Sequence, residues 1–195
     1  MVLPYMNLNR VSAAIVESDK YVLELVSQTL KGFGLVHQAC FETGEAAKSH
    51  IANGGSNICL IEAVLPDISG FDLVRWVRRL ETREVRTTPI IMLTGYTQKE
   101  AIRQARDCGA NSIIKKPVLP QILFDRIAWI AKNERQFVEA VDYTGPDRRV
   151  KIAGPPGGIA RRITDLPAEA GPAPASDMSQ DEIDALLKPN KVTAS

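Results

Sequence analysis

From Val11 to about Arg135, short apolar runs alternate with stretches whose apolar residues recur at helical spacing. Ser12–Val16, Val36–Cys40, Ile58–Ile61, Pro89–Leu93 and Ser112–Ile114 are short and largely apolar, the pattern of strands covered on both faces. Between and after them, Tyr21–Leu30, Glu45–Ile51, Phe71–Leu80, Gln98–Asp107 and Ile122–Asn133 read as helices. In the first of these, Val22, Leu23, Val26 and Leu30 share one stripe, Asp19 stands where it would cap the start, and Gly32 and Gly34 end it. Five strand–helix units with short connections predict a parallel sheet with right-handed crossovers and helices on both faces. Ligand sites of such sheets lie outside the carboxyl ends of the strands. Glu17, Ser18, Glu62, Thr94 and Lys116 each fall at or just past a strand end, so they are predicted to converge on one cleft.

Composition narrows the class. The chain has 195 residues, room for one ordinary domain and an extension, and is 45% hydrophobic and 24% charged, as globular chains are. A net charge of +1 gives no bulk attraction to nucleic acid. Cys40, Cys59 and Cys108 are scattered in apolar contexts without metal-binding spacing, so they are expected to be buried free thiols. No apolar run reaches the ~18 residues of a membrane span, and the first ten residues lack a charged segment leading into an apolar core. A cytoplasmic location is the default expectation.

After Gln136 the character changes. Six prolines and many glycines fall between residues 145 and 175, a stretch unable to bury enough apolar surface to offset its ordering entropy. It is too short and proline-rich for a helix-turn-helix output domain, so DNA binding is not expected. Arg148, Arg149, Arg161 and Arg162 lie early in this tail, and most of its acids lie late. Residues 178–187 then read Met-Ser-Gln-Asp-Glu-Ile-Asp-Ala-Leu-Leu. Ser179 and Glu182 make a capping box, Ile183, Leu186 and Leu187 make one apolar stripe, and Pro189 stops the helix. A helix this short is marginal alone, so its stripe calls for a groove on a partner.

The segment Ile58-Cys-Leu-Ile-Glu-Ala-Val-Leu-Pro-Asp-Ile-Ser-Gly70, with Leu93-Thr94-Gly95 and Ile114-Lys115-Lys116-Pro117, resembles the response-regulator receiver domains of the CheY type. The resemblance covers about residues 10–135. It implies an α/β fold of flavodoxin-like architecture, a doubly wound (βα)5 parallel sheet of strand order 2-1-3-4-5. It also implies a phosphorylation cleft, in which Glu62 stands at the phosphoacceptor position that carries aspartate in the family. Glu17 fills the first acidic position, Ser18 replaces the second, metal-coordinating acid, and Ile113 replaces the switch aromatic four residues before Pro117. Thr94 matches the hydroxyl that bonds a phosphoryl oxygen. Lys116 matches the lysine that pairs with the central carboxylate, with a cis Lys116–Pro117 bond expected. Magnesium binding is expected to be weak or absent.

Two readings of Glu62 stand open. Its carboxylate, about 1.5 Å further out than an aspartate's, reaches toward Thr94 and Lys116 and imitates the phosphorylated state; or it pairs with Lys116 as a structural ion pair. The tail adds a second resemblance: residues 178–187 are similar to the N-terminal peptide of the flagellar motor switch protein FliM, which binds activated CheY. That implies docking on the face formed by the fourth predicted helix (Gln98–Asp107), the fifth strand and the fifth predicted helix of a receiver, its own or a separate one.

These readings predict a receiver-like domain over 10–136, a flexible linker over 137–176, an amphipathic helix over 177–189 and a disordered end over 190–195. The leading functional expectation is a non-enzymatic, phosphorylation-independent signalling module of two-component, chemotaxis or flagellar control. Its partner would be a CheY-type receiver or another motor or two-component protein, with self-association or docking of the tail on its own domain as further modes. A second reading has the four arginines bind a cyclic dinucleotide, and a third keeps a residual phosphoryl-accepting activity at Glu62.

Overall fold

The computed structural model describes residues 8–95, 99–133, 136–140, 143–147 and 180. Strands β1 (Ser12–Val16), β2 (His37–Phe41), β3 (Ile58–Glu62), β4 (Ile90–Thr94) and β5 (Ser112–Lys115) form one parallel sheet in the order β2-β1-β3-β4-β5. The helices are α1 (Lys20–Gly32), α2 (Gly44–Ala52), α3 (Gly70–Arg78), the short α4 (Arg83–Arg86), α5 (Lys99–Asp107) and α6 (Pro120–Lys132). The expected sheet and its order are therefore present. The helix α4 is an addition to the expected elements, because four residues are too few for a periodic signal.

Alternation along the strands divides the core in two. Ala14, Val16, Cys59, Ile61, Ile90, Met92 and Ile113 pack with α2, α3, α4 and α5. Ala13, Ile15, Ile58, Leu60, Ile91, Leu93 and Ile114 pack with α1 and α6. Every strand residue of β1, β3 and β4 except the terminal Ser12 and Glu62 is buried, which is why these runs read as continuously apolar rather than alternating. The outer strand β2 is only partly covered, and there the thiol expectation fails: Cys59 and Cys108 are buried, but Cys40 is exposed. Burial lifts the Cys59 thiol to about 12 and that of Cys108 to about 11, keeping both protonated.

A second correction concerns residues 137–146, expected as flexible linker. They form an antiparallel hairpin, β6 (Phe137–Ala140) with β7 (Tyr143–Pro146). Its anchor is Arg78, whose side chain is almost wholly buried. The guanidinium donates to the carbonyls of Gly109 (2.9 Å), Arg86 (2.7 Å) and Thr88 (2.8 Å) and to Asn111 Oδ1 (2.9 Å). It lies 5.2 Å from the centre of the Phe137 ring. Those carbonyls close α4 and follow α5, so the cation faces the negative ends of helices and needs no carboxylate. Gly109 is in the left-handed region (φ 98°), and a Cβ there would meet the Thr144 carbonyl of the hairpin at 2.6 Å.

Candidate functional site: an acid–lysine cleft at the strand ends

The site is assembled from the segments that leave β1, β3, β4 and β5. After β1 the chain turns at Glu17 and Ser18, and Asp19 caps α1 by accepting from the Tyr21 and Val22 N–H groups. After β3 the loop folds back tightly: the Gly70 N–H donates to the Ala63 carbonyl at 3.0 Å. A Cβ on Gly70 would lie 1.9 Å from the Glu62 carbonyl oxygen, so only glycine fits. Asp67 in the same loop accepts from Gly44 and Glu45 N–H at the start of α2, which fixes the loop over the strand ends. Lys116 follows β5, with its N–H on the Thr94 carbonyl (2.8 Å) and a cis peptide bond to Pro117.

Lys116 Nζ lies 2.7 Å from Glu17 Oε1 and 2.6 Å from Glu62 Oε1, bridging the two carboxylates. The other Glu62 oxygen accepts from Ser18 twice, from Oγ at 2.6 Å and from N–H at 3.0 Å. Both carboxylate oxygens of Glu62 are therefore engaged, toward Lys116 and back toward β1. Glu17 is fully buried. Its Oε1 also accepts from the Asp19 N–H (3.2 Å), while its Oε2 has no hydrogen-bond partner among the described residues.

The electrostatics follow from this geometry. Burial pushes Glu17 up to about 7; the Lys116 ammonium opposes the rise and the neighbouring Glu62 adds to it. Burial would also raise Glu62, but the hydrogen bonds from Lys116 and Ser18 outweigh it and hold that carboxyl below the usual range. For Lys116, burial favours the neutral amine, and the two glutamates overcome that and raise its pKa. At neutral pH the cleft thus holds an ionised Glu62–Lys116 pair beside a Glu17 near its titration midpoint.

The predicted residues Glu17, Ser18, Glu62 and Lys116 are directly bonded to one another, and Thr94 joins through its carbonyl. Ile113 is buried in the core beside Met92, Ile102 and Ala105, an aliphatic packing residue at the switch position. The tail positions Arg148, Arg149, Arg161, Arg162, Ser179, Glu182, Ile183, Leu186 and Leu187 lie outside the described residues. Gln180, between them in sequence, is described: it contacts β5. Sequence reasoning does not single out Gln180 or Arg78. Arg78 carries a signal all the same, since Gly70, Leu73, Val74, Val77 and Arg78 fall on one buried helical stripe.

The donors present do not suit a hydrated magnesium ion, which is held by one or two carboxylates free to complete an octahedron of oxygens, because both glutamates here are paired with Lys116. Ser18 is neutral and bonded to Glu62, and the remaining acids face an ammonium. Among the described residues no group of three or more histidine, cysteine or acidic side chains could hold a metal.

A parallel five-stranded sheet of order 2-1-3-4-5, with an acid after β1, a carboxylate ending β3, a hydroxyl ending β4 and a lysine–proline pair after β5, defines the receiver class of signalling domain. The chain belongs to the response regulator receiver domain family, whose sequence model matches residues 13–128. It is 25% identical over 113 residues to the chemotaxis protein CheY of Pseudomonas aeruginosa, a match covering 58% of this chain and 90% of that one. The sensory/regulatory protein RpfC of Xanthomonas campestris is 28% identical over 97 residues, which is 50% of this chain but only 13% of that much longer protein. Among solved structures, a CheY-like receiver domain from Methanospirillum hungatei superposes with a TM-score of 0.57 at 27% identity, over 63% of this chain and 94% of the other. The BeF3-activated DrrB receiver domain gives 0.55 at 28% identity, over 63% and 98%. Among the described residues no helix is long and apolar enough to cross a membrane.

Proposed function

We propose that this receiver of two-component and chemotaxis signalling works without phosphorylation, as a protein-interaction module. The observation that carries the reading is the closed network Glu17–Lys116–Glu62–Ser18. An acyl phosphate at residue 62 requires a free carboxylate oxygen as nucleophile and a divalent cation to offset the phosphoryl charge. Here Lys116 and Ser18 hold both oxygens of Glu62, and the serine stands where a second acid would bind the cation. Ile113 supports the same reading, because a packed aliphatic side chain has no aromatic ring to swing when the cleft changes state. The output then lies in surfaces that other proteins bind. Residues 177–189, whose sequence is similar to the motor-switch peptide, are assigned to docking on a receiver, in a chemotaxis or flagellar setting.

The test is incubation of the full chain with magnesium and acetyl phosphate, followed by intact-mass spectrometry. No adduct is expected. A magnesium-dependent phosphoryl adduct that disappears in Glu62→Gln would overturn the proposal.

A further inference from the structure

The β6–β7 hairpin closes a cavity of about 120 Å³ against the last turn of α3. Arg75 and Arg78 of α3, with Arg79 at its C-cap, line one wall, and Tyr143 and Thr144 of β7 line another. The cavity lies at the amino ends of the strands, away from the Glu62–Lys116 cleft. Arg78 shows this, since it bonds Thr88, which leads into β4, and Gly109 and Asn111, which lead into β5.

The three cations are not equivalent. Arg78 is committed to three carbonyls and Asn111, so it already answers the negative helix ends there. Arg75 donates to the exposed Asp72 at 2.7 Å, a surface pair that contributes little. Arg79 is exposed, and its guanidinium forms no ion pair or hydrogen bond among the described residues. Arg75 and Arg79 stand four residues apart, the spacing at which like charges on a helix repel. Asp107, the acid on the wall, already pairs with Arg106 at 3.1 Å, which leaves the lining with an excess of positive charge. The Thr144 hydroxyl has no hydrogen-bond partner among the described residues.

We infer that this cavity is an anion site for a phosphate group, either inorganic phosphate or the terminal group of a small phosphomonoester. Such a group carries nearly two charges and three terminal oxygens at neutral pH, enough to meet both guanidinium forks and the hydroxyl. A carboxylate carries one charge and two oxygens. The volume suits one phosphate and few further atoms, well below the about 300 Å³ of a pocket for a whole drug-sized ligand. The rest of an ester would project into solvent. One wall belongs to the receiver and the other to the hairpin, so bound phosphate ties the two together. This site goes beyond the interaction reading above and does not involve residue 62.

The experiment is an amide NMR titration of the full chain at constant ionic strength and pH, following Gly109 and Thr144. The titrants are inorganic phosphate, adenosine monophosphate and acetate, and the variants are Arg79→Gln and Arg103→Gln. Arg103 is exposed on α5 and outside the cavity, so its loss removes the same charge elsewhere. Phosphate or the nucleotide should give saturating shifts, weakened about 10-fold in Arg79→Gln, as loss of a charge-assisted hydrogen bond implies, and unchanged in Arg103→Gln. Tighter binding of the nucleotide would identify a phosphomonoester as the ligand, and equal affinities would identify the phosphate group alone. Shifts that do not saturate, an equal response to acetate, or equal weakening in the two variants would overturn the site. Arg79 makes no side-chain contact that folding depends on, so its substitution reads binding rather than stability.

Discussion

Replacing Glu17 with glutamine makes the cost of a buried carboxylate measurable. In the unfolded chain Glu17 titrates near 4.5; in the folded protein, burial lifts it to about 7. The folded state therefore holds the proton to higher pH than the unfolded state. The contribution of Glu17 to stability is fully present below about 4.5, falls as pH rises, and is gone above about 7. At about 1.36 kcal/mol per pH unit the full loss is about 3 kcal/mol, most of which develops between pH 5 and pH 8. The substituted amide cannot titrate, keeps an oxygen for Lys116, and leaves the Glu62–Lys116 pair in place. Urea unfolding of both proteins, followed by the fluorescence of Trp76 and Trp129, gives the stability of each at the two pH values. The wild type should lose about 2–3 kcal/mol relative to Glu17→Gln on going from pH 5 to pH 8. A difference between the two proteins that stays constant across that range would refute the assignment of the buried proton to Glu17.

Lys116→Met should destabilise the fold by about 3–5 kcal/mol at pH 8, by leaving two carboxylates without their cation; thermal unfolding at pH 5, where Glu17 is protonated, should show a smaller loss. Arg78→Met leaves the Gly109, Arg86 and Thr88 carbonyls without their donor and should lower the urea midpoint by an amount corresponding to about 3–5 kcal/mol. The double substitution Ser18→Asp with Glu62→Asp restores two acids and a shorter nucleophile, so a magnesium-dependent phosphoryl adduct should form in the double variant and in neither single one, as intact-mass spectrometry would read directly.

The sheet is legible in the sequence because its central strands are buried on both faces: β1, β3 and β4 each carry four apolar residues in a row, and with the shorter runs of β2 and β5 they leave few alternatives to a doubly wound fold. The cleft is legible for a related reason, since strand ends place Glu17, Glu62 and Lys116 by topology alone. What topology does not give is direction. That Glu62 turns back to Ser18 depends on a hydroxyl and an N–H one residue past Glu17, and no pattern of polarity records it. Residues 137–146 mislead because Gly145, Pro146 and the arginines beyond them suggest a linker. The hairpin is held by contacts distant in sequence, including the Arg86–Glu139 ion pair at 2.6 Å. Arg78 escapes notice because charge is expected at the surface, although its place on the α3 stripe points inward.

The hairpin also moves the boundary of the folded unit. The family's match ends at residue 128 and α6 at Lys132, which invites excision of the receiver just beyond. Such a fragment would strip Phe137 from the Arg78 guanidinium, cut the Arg86–Glu139 pair, and open the tight contact of Gly109 with Gly145. A buried cation would then face water across a missing wall. The described contacts of the receiver run on to Asp147, whose N–H donates to the Gln136 carbonyl at 2.7 Å, and fragments cut shorter would report a domain stripped of them.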